Sequence, residues 1–300
     1  MSADGAAEPA AAGLPRRLGP YLLEGRIAQG ASSVLMRGRD PRVGRPLAIK
    51  VLQLRPADAD AADELRQRFM REAEAARRLV HPGIVRYLDA GDEQGLAWIA
   101  MQLVPGHDLG RHVQLGALLP LPATLDVGAQ LADALAHAHR HGVVHRDIKP
   151  ANVIFDVATG AAVLTDFGIA RVADTSRTRT GLLLGTPAYM APELLAGGAA
   201  SAASDIYALG VLLFQLLCAR LPHEGATLGA LIAAIANQPP PDLRALRPGL
   251  PDALAAVVAR LLAKRPGERS ADGATVASEL RAIAANVKSS RTDPRHNSAD

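Results

Sequence analysis

The sequence predicts an α+β protein in which a small β-rich lobe precedes a larger, mainly helical one. Between residues 21 and 52 short apolar runs alternate with glycine and proline breaks, the pattern of antiparallel strands. Pro105-Gly106 then interrupts the chain. Beyond it, breaker-poor stretches at 123–141, 205–219 and 251–262 carry helical composition. The 300 residues, 49% of them hydrophobic, suffice for a large core, and with aromatics at only 3% that core must be built from Leu, Val, Ile and Ala.

Taken in order, residues 1–18 are rich in Ala, Gly and Pro without a strand or helix period, and are expected to form a disordered leader. The runs Tyr21-Leu22-Leu23, Val34-Leu35-Met36 and Leu47-Ala48-Ile49-Lys50-Val51-Leu52 are expected strands. Residues 57–80 contain no Pro or Gly and read as a helix. Strand character returns at 84–89 and 96–104. After the break, Val153-Ile154-Phe155 and Ala162-Val163-Leu164 are short strands among the helices. From residue 287 the chain is polar and is expected to be a disordered tail. The expected division is therefore 19–104 and 105–286, flanked by the leader and the tail.

Several function classes fall away. A net charge of +3 with scattered arginines does not make a nucleic-acid surface. Cys218 is the single cysteine, so no intramolecular disulfide can form and thiol-ligated zinc is excluded. The most apolar run, 211–217, ends before Arg220, far short of the ~20 residues a spanning helix needs. The N-terminus lacks the basic and apolar regions of a secretory signal. A soluble, cytoplasmic protein without a membrane segment is the expectation.

The chemistry is concentrated in two short segments. Residues 145–152 read His145-Arg146-Asp147-Ile148-Lys149-Pro150-Ala151-Asn152, and Asp166-Phe167-Gly168 follows a strand. An Asp five residues before an Asn, then a second Asp opening a turn, supplies a hydroxyl-orienting group and two hard oxygen ligands. In-line phosphoryl transfer needs that combination, with Mg²⁺ held against the phosphates. These segments resemble the H-R-D-L-x-x-x-N and D-F-G signatures of the eukaryotic-like (bacterial-type) serine/threonine protein kinases. Further matches are Ala48-Ile49-Lys50, Leu79-Val80-His81-Pro82, Gly185-Thr186-Pro187-Ala188-Tyr189 and Ala191-Pro192-Glu193. They extend the resemblance over residues 18–285.

The resemblance implies a bilobed protein-kinase fold and an ATP- and Mg²⁺-dependent transfer to Ser/Thr hydroxyls of protein substrates, with Mn²⁺ as an allowed substitute. Asp147 would orient the hydroxyl, Lys149 would reach the transferred phosphoryl group, and Asn152 and Asp166 would ligate the metal. Lys50 would position phosphates, paired with Glu72. Glu64 and Glu74 are alternatives, but the family's run to Leu79-Val80-His81-Pro82 fits Glu72 without a gap. The chain has only four lysines among many arginines, and one placed in an apolar strand suggests that a compact point charge is needed there. Ile27, Ala28, Gly30, Ser33 and Leu35 would form the loop and strand over the nucleotide. Ala28 and Ser33 stand where the family usually has glycine, and Leu35 where it usually has valine. Ala48, Met101, Gln102 and Val104 would line the adenine site, with Met101 as gatekeeper.

Structural roles are implied for His145, packed beneath the catalytic loop, and for Arg146, Thr186, Glu193, Asp205 and Arg269. Glu193 would pair with Arg269. Asp205 would brace the catalytic loop, or more simply cap a helix. Two other readings stand beside this one: a pseudokinase scaffold, suggested only by Ala28 and Ser33, and a small-molecule phosphotransferase, which leaves Ala191-Pro192-Glu193 unexplained.

The resemblance also places Thr178 and Thr180 where bacterial members carry activation-segment phosphothreonines, made in trans by a kinase dimer. A phosphate adds about −1.5 to −2 charge, and Arg146 would receive it by a charge-assisted contact. Incubation with Mg-ATP is therefore expected to put phosphate on Thr178 or Thr180, read by mass spectrometry. The double substitution Thr178→Ala/Thr180→Ala should lower activity several-fold, and an unimpaired double variant would rule this control out.

Overall fold

The computed structural model describes residues 14–30, 33–53, 59–93, 95–167 and 187–292. Their contacts divide them into two units: residues up to 81 with 85–104 form the first, and 82–84, 105–167 and 187–292 form the second.

The first unit is built on an antiparallel six-stranded sheet in the order β1-β2-β3-β4-β6-β5. Its strands are β1 (Arg17–Leu18), β2 (Tyr21–Gln29), β3 (Ser33–Asp40), β4 (Arg45–Gln53), β5 (Tyr87–Glu93) and β6 (Leu96–Gln102). Strand alternation sorts the side chains onto two faces. Val34, Met36, Leu47, Ile49, Val51, Trp98 and Ala100 form a buried cluster with Leu18 and Tyr21. The register sets Val34 opposite Val51, Met36 opposite Ile49, and Val51 opposite Trp98. Leu35, Ala48 and Lys50 have the opposite parity and therefore occupy the other face.

Trp98 anchors the clustered face, with Tyr21 packed edge-on at a centroid distance of 5.7 Å. A Cβ on Gly91 would sit 2.5 Å from the indole, and one on Gly19 would sit 2.6 Å from it, so both glycines are required by the ring's volume. Gly19 also has φ +53°, a second reason for glycine there.

The leader is shorter than the sequence suggests. Leu18 is wholly buried and Leu14 packs against the same cluster, so 17–18 form β1, 14–16 are part of the first unit, and only 1–13 lie outside the described residues. These two leucines cover apolar area that would otherwise face water. Helix α1 (Ala59–Arg77) packs on β5 and β6 through a buried stripe of Phe69, Ala73 and Ala76. Strand β5 begins three residues later than expected. Ile84 is instead committed to a parallel bridge with Leu164, where the Leu164 N–H donates to the Gly83 carbonyl at 2.9 Å.

The second unit is mainly helical: α2 (Leu121–Arg140), α3 (Pro192–Leu195), α4 (Ala202–Cys218), α5 (Leu228–Asn237), α6 (Leu243–Leu246), α7 (Asp252–Leu261) and α8 (Gly273–Thr292). A three-stranded sheet of β7 (His107–Asp108), β8 (Val153–Asp156) and β9 (Ala161–Leu164) lies beside α2. Gln130 on α2 holds the β8–β9 turn: its Nε2 donates to the Gly160 carbonyl at 2.9 Å and its Oε1 accepts from Ala162 N–H at 3.0 Å.

Helix α4 starts at Ala202, ahead of the expected 205, because Ser201 and Ser204 form a reciprocal capping box. Its flank is buried almost all round, through Ile206, Leu209, Leu212, Leu213 and Leu216. Helix α8 continues to Thr292, which corrects the expected tail from 287. Leu280, Ile283 and Ala284 keep its buried stripe going, and the polar Lys288 and Ser289 are exposed. Among the described residues no helix is long and apolar enough to cross a membrane.

One basic pair in this unit, the buried His223 with the half-buried Lys264, was not foreseen. Lys264 Nζ donates to the Ile235 carbonyl at 2.6 Å, near the end of α5, and lies 2.9 Å from His223 Nε2. Burial, then the nearby Arg269 charge, pulls Lys264 down to about 8. Burial, then the Lys264 charge, pulls His223 down to about 4. With its folded value below the ordinary 6.5, His223 binds fewer protons folded than unfolded, so its contribution to stability is lost as pH falls from 6.5 towards 4. His223→Gln keeps an acceptor for Lys264 without titrating. Urea unfolding should therefore show wild type losing more stability than His223→Gln across that interval, and parallel profiles would refute the assignment.

Candidate active site

Each unit assembles its own set of the residues singled out by sequence. In the first, the sheet face opposite the Trp98 cluster gathers Ala28, Leu35, Ala48, Lys50 and Met101. Ala28 is opposite Leu35, Leu35 opposite Lys50, and Ala48 opposite Met101, and such cross-strand partners share a face. Lys50 is only 8% exposed although it carries a charged head. Ile27 is 46% exposed and Gly30 closes the hairpin, its N–H donating to the Ser33 carbonyl at 2.7 Å. Ala31 and Ser32 lie outside the described residues.

Gln102 stands opposite Leu47, and its N–H already donates to the Arg86 carbonyl at 2.9 Å. A ligand at this strand end would therefore meet the Gln102 carbonyl rather than its N–H. Val104 is the last described residue of the unit and half-buried. Glu72 is half-buried beside the apolar stripe of α1. Glu74 is exposed and lies 3.5 Å from Arg77, a surface pairing that leaves Glu72 the better placed of the two.

In the second unit, the loop 145–152 and the turn after β9 are tied into one block. The Thr165 N–H donates to the Asn152 carbonyl at 2.9 Å. His145 is wholly buried. Its Nδ1 accepts from the Asp147 N–H at 3.3 Å, so Nε2 carries the proton and donates to the Thr165 carbonyl at 2.8 Å. Its ring lies 4.5 Å from that of Phe167. Burial pushes the imidazole below its usual value, against the opposing pull of Asp205 and other nearby groups. Both ring nitrogens are committed to backbone, so this histidine is not placed to take a substrate proton.

Asp147 is held through one carboxylate oxygen. Asn152 Nδ2 donates to its Oδ2 and to its carbonyl, each at 2.8 Å, and Lys149 Nζ reaches the same Oδ2 at 2.7 Å. With Nδ2 used in this way, Asn152 has its side-chain oxygen to offer a cation. That amide oxygen and the Asp166 carboxylate are the hard donors Mg²⁺ prefers. A concavity beside Asp147 is lined by Arg146, Ile148, Tyr189, Met190 and Leu194.

Arg146 (φ 71°) and Asp166 (φ 62°) adopt left-handed backbone without being glycine. Such conformations cost on the order of 1–3 kcal/mol and persist where the surroundings over-determine them. For Arg146 the surroundings are visible. Asp205, 1% exposed on α4, accepts the His145 N–H at Oδ2 and the Arg146 N–H at Oδ1, both at 2.8 Å. Asp205 does not cap its helix, because Ser201 does.

Glu193 and Arg269 form a bidentate pair, with both N–O distances 2.7 Å. Arg269 also donates to the carbonyls of Ala203, Lys264 and Ala263, and its guanidinium lies 5.0 Å from the centre of the Tyr207 ring. Burial alone would raise Glu193, but the Arg269 hydrogen bonds and charge outweigh it and hold the carboxyl below its usual value. Gly168, Thr178, Thr180 and Thr186 lie outside the described residues. Sequence reasoning passed over His139, Gln130 and the Ser201–Ser204 cap. A His three residues before Gly142 at a helix end was the available signal for the first.

The protein kinase domain family model matches residues 21–280. Among curated proteins, the chain is 40% identical over 267 residues to the DNA damage-responsive serine/threonine-protein kinase RqkA of Deinococcus radiodurans, covering 86% of this chain and 39% of that protein. It is 40% identical over 256 residues to the serine/threonine-protein kinase PknJ of Mycobacterium bovis, covering 83% of this chain and 43% of that one. The chain thus spans about two fifths of the length of these relatives. Among solved structures, Rad53 1-466 in complex with AMP-PNP superposes with a TM-score of 0.70 at 24% identity, covering 85% of this chain and 62% of the other, a likeness of fold.

Proposed function

This chain belongs to the protein kinase domain family, and from that premise we propose that it transfers the γ-phosphoryl group of ATP to Ser/Thr hydroxyls of protein substrates. The observation that carries the reading is the Asp147 carboxylate, fixed through Oδ2 by Lys149 and Asn152 of the same loop. A carboxylate so anchored has a set direction in which to orient a hydroxyl. The relatives' names as serine/threonine-protein kinases agree with it.

In the proposed reaction the substrate oxygen forms a bond to the γ-phosphorus as the bond to the β–γ bridging oxygen breaks and ADP leaves. Asp147 orients the hydroxyl and receives its proton. Lys149 offsets charge on the transferred group, as Lys50 does on the nucleotide phosphates, with Glu72 orienting Lys50. Asn152 and Asp166 would hold Mg²⁺, whose charge neutralises the phosphate oxygens. Leu35, Ala48 and Met101 offer the adenine an apolar sheet face, and the Gln102 carbonyl faces an exocyclic amine as acceptor. Ala28 and Ser33 keep the hairpin slim, as its use over phosphates requires.

With Mg-ATP and a generic Ser/Thr protein substrate, radiolabel transfer should be seen for wild type. Asp147→Asn and Asp166→Asn should each lower it by roughly 10²-fold or more at unchanged thermal stability. Near-normal turnover by purified Asp166→Asn would overturn the site assignment, and nucleotide binding without transfer by wild type would favour a scaffold.

Lys50→Met and Glu72→Gln should each reduce turnover strongly. As one unit their effects are non-additive, so the double variant should be little worse than the worse single. Fully multiplicative losses would show that Glu72 is the wrong partner.

A further inference from the structure

Lys264 differs from Lys149 and Lys288 in what surrounds its amine. Lys149 lies 2.7 Å from the Asp147 carboxylate, and Lys288 lies 4.0 Å from that of Asp126. Among the described residues no carboxylate forms an ion pair with Lys264, and the charge that acts on it is the positive Arg269. Its backbone is fixed as well, because Arg269 donates to its carbonyl at 3.1 Å.

The amine has two partners, the Ile235 carbonyl at 2.6 Å and His223 Nε2 at 2.9 Å. An ammonium has no lone pair, so toward it both partners can only accept. An ammonium has three hydrogens to place, whereas a neutral amine has two. Two acceptors therefore satisfy the neutral amine and leave its lone pair at the remaining position. Lys264 is half-buried and not sealed, so small solutes can reach that position. A lysine desolvated beside another cation is the usual setting for a nucleophilic amine. Burial and the Arg269 charge bring Lys264 down to about 8, so near neutral pH it is free base far more often than an ordinary lysine.

We propose that Lys264 is a carbon dioxide-binding site: its neutral amine adds to CO2 as a carbamate, and His223 takes the proton released. The nitrogen lone pair forms the N–C bond while one C=O electron pair moves onto oxygen. The N–H bond directed at His223 breaks, and its proton passes to Nε2. The other hydrogen stays on nitrogen and keeps its bond to the Ile235 carbonyl. The products are a carbamate anion and an imidazolium, and nothing else is consumed. Arg269, which disfavours an ammonium here, favours an anion by the same interaction. His223 is held neutral by burial and by the Lys264 charge. After the step it faces a negative group and can keep the proton.

Basicity alone does not single out Lys264, because an α-amino group has an ordinary pKa of about 7.7–8.0. The α-amino group of the chain is therefore the control for basicity, and the exposed Lys288 is the control for accessibility.

The test equilibrates the purified full chain with isotopically labelled bicarbonate at about pH 7.5, near the ordinary α-amino value. Carbamates are trapped as ethyl esters with triethyloxonium ion and located by peptide mass spectrometry. Lys264 should carry at least fivefold more label than the α-amino group or Lys288. Folded His223→Gln, which keeps an acceptor but cannot hold the proton, should lose at least threefold of the Lys264 label with the α-amino label unchanged. In urea-unfolded wild type the excess at Lys264 should vanish, since its neighbours are dispersed. Label at Lys264 no greater than at the α-amino group would overturn the proposal. So would an excess that survives unfolding, or one undiminished in folded His223→Gln. The comparison within wild type decides even where the variant does not fold, and none of these readouts depends on phosphoryl transfer.

Discussion

The segment that carries Asp147 holds its shape through a negative charge kept out of water. The Asp205 carboxylate sits at the start of α4, where the helix dipole favours an anion, and gathers its donors from two backbone groups and one ring. Without that charge the left-handed Arg146 would lose the acceptor of its backbone N–H, next to the residue whose orientation matters, Asp147. The same logic runs through His145, whose two ring nitrogens join the loop to the turn carrying Asp166. Buried polar groups here serve as fixtures, useful because each has its partners.

The first unit solves a different problem. Its sheet has to bury one face and leave a lysine usable on the other. Alternation does the sorting: the aliphatic cluster with Trp98 takes one parity, and Lys50, Ala48 and Leu35 take the other. Because the pairing period is two, a one-residue slip of β4 would push Lys50 into the cluster and Ile49 onto the opposite face. Register is therefore under strong physical constraint, and the unbroken pairing from Ser33 with Leu52 to Asp40 with Arg45 is its expression.

Much of this was legible in the sequence, for reasons that differ by residue. Strands β2, β3, β4 and β6 showed because apolar runs punctuated by glycine are local signals. Asp147, Lys149, Asn152 and Asp166 showed because their spacing is local too. Other features depend on partners far along the chain. Leu18 reads as part of a leader until the sheet it covers is seen, and Ile84 reads as strand until Leu164 claims it. The polar residues after 287 conceal a helix whose buried stripe is supplied by α8 as a whole. Asp205 could be given a bracing role from resemblance, but its bond to His139 spans 66 positions and has no local signature.

Trp98 with its two glycines bears on how this chain can change over time. Gly19, in the turn between β1 and β2, and Gly91, opposite Trp98 within β5, approach one indole and leave no room for a methyl group at either position. A substitution at either glycine is barred while the tryptophan remains, yet a smaller residue at 98 would open the space and make alanine acceptable at 91. The three sites form one evolutionary unit, in which the order of changes matters more than their number: the ring must shrink first. At position 19, where φ is +53°, even that sequence leaves the backbone objection in place, so sequence drift should enter this cluster through 91 and not through 19.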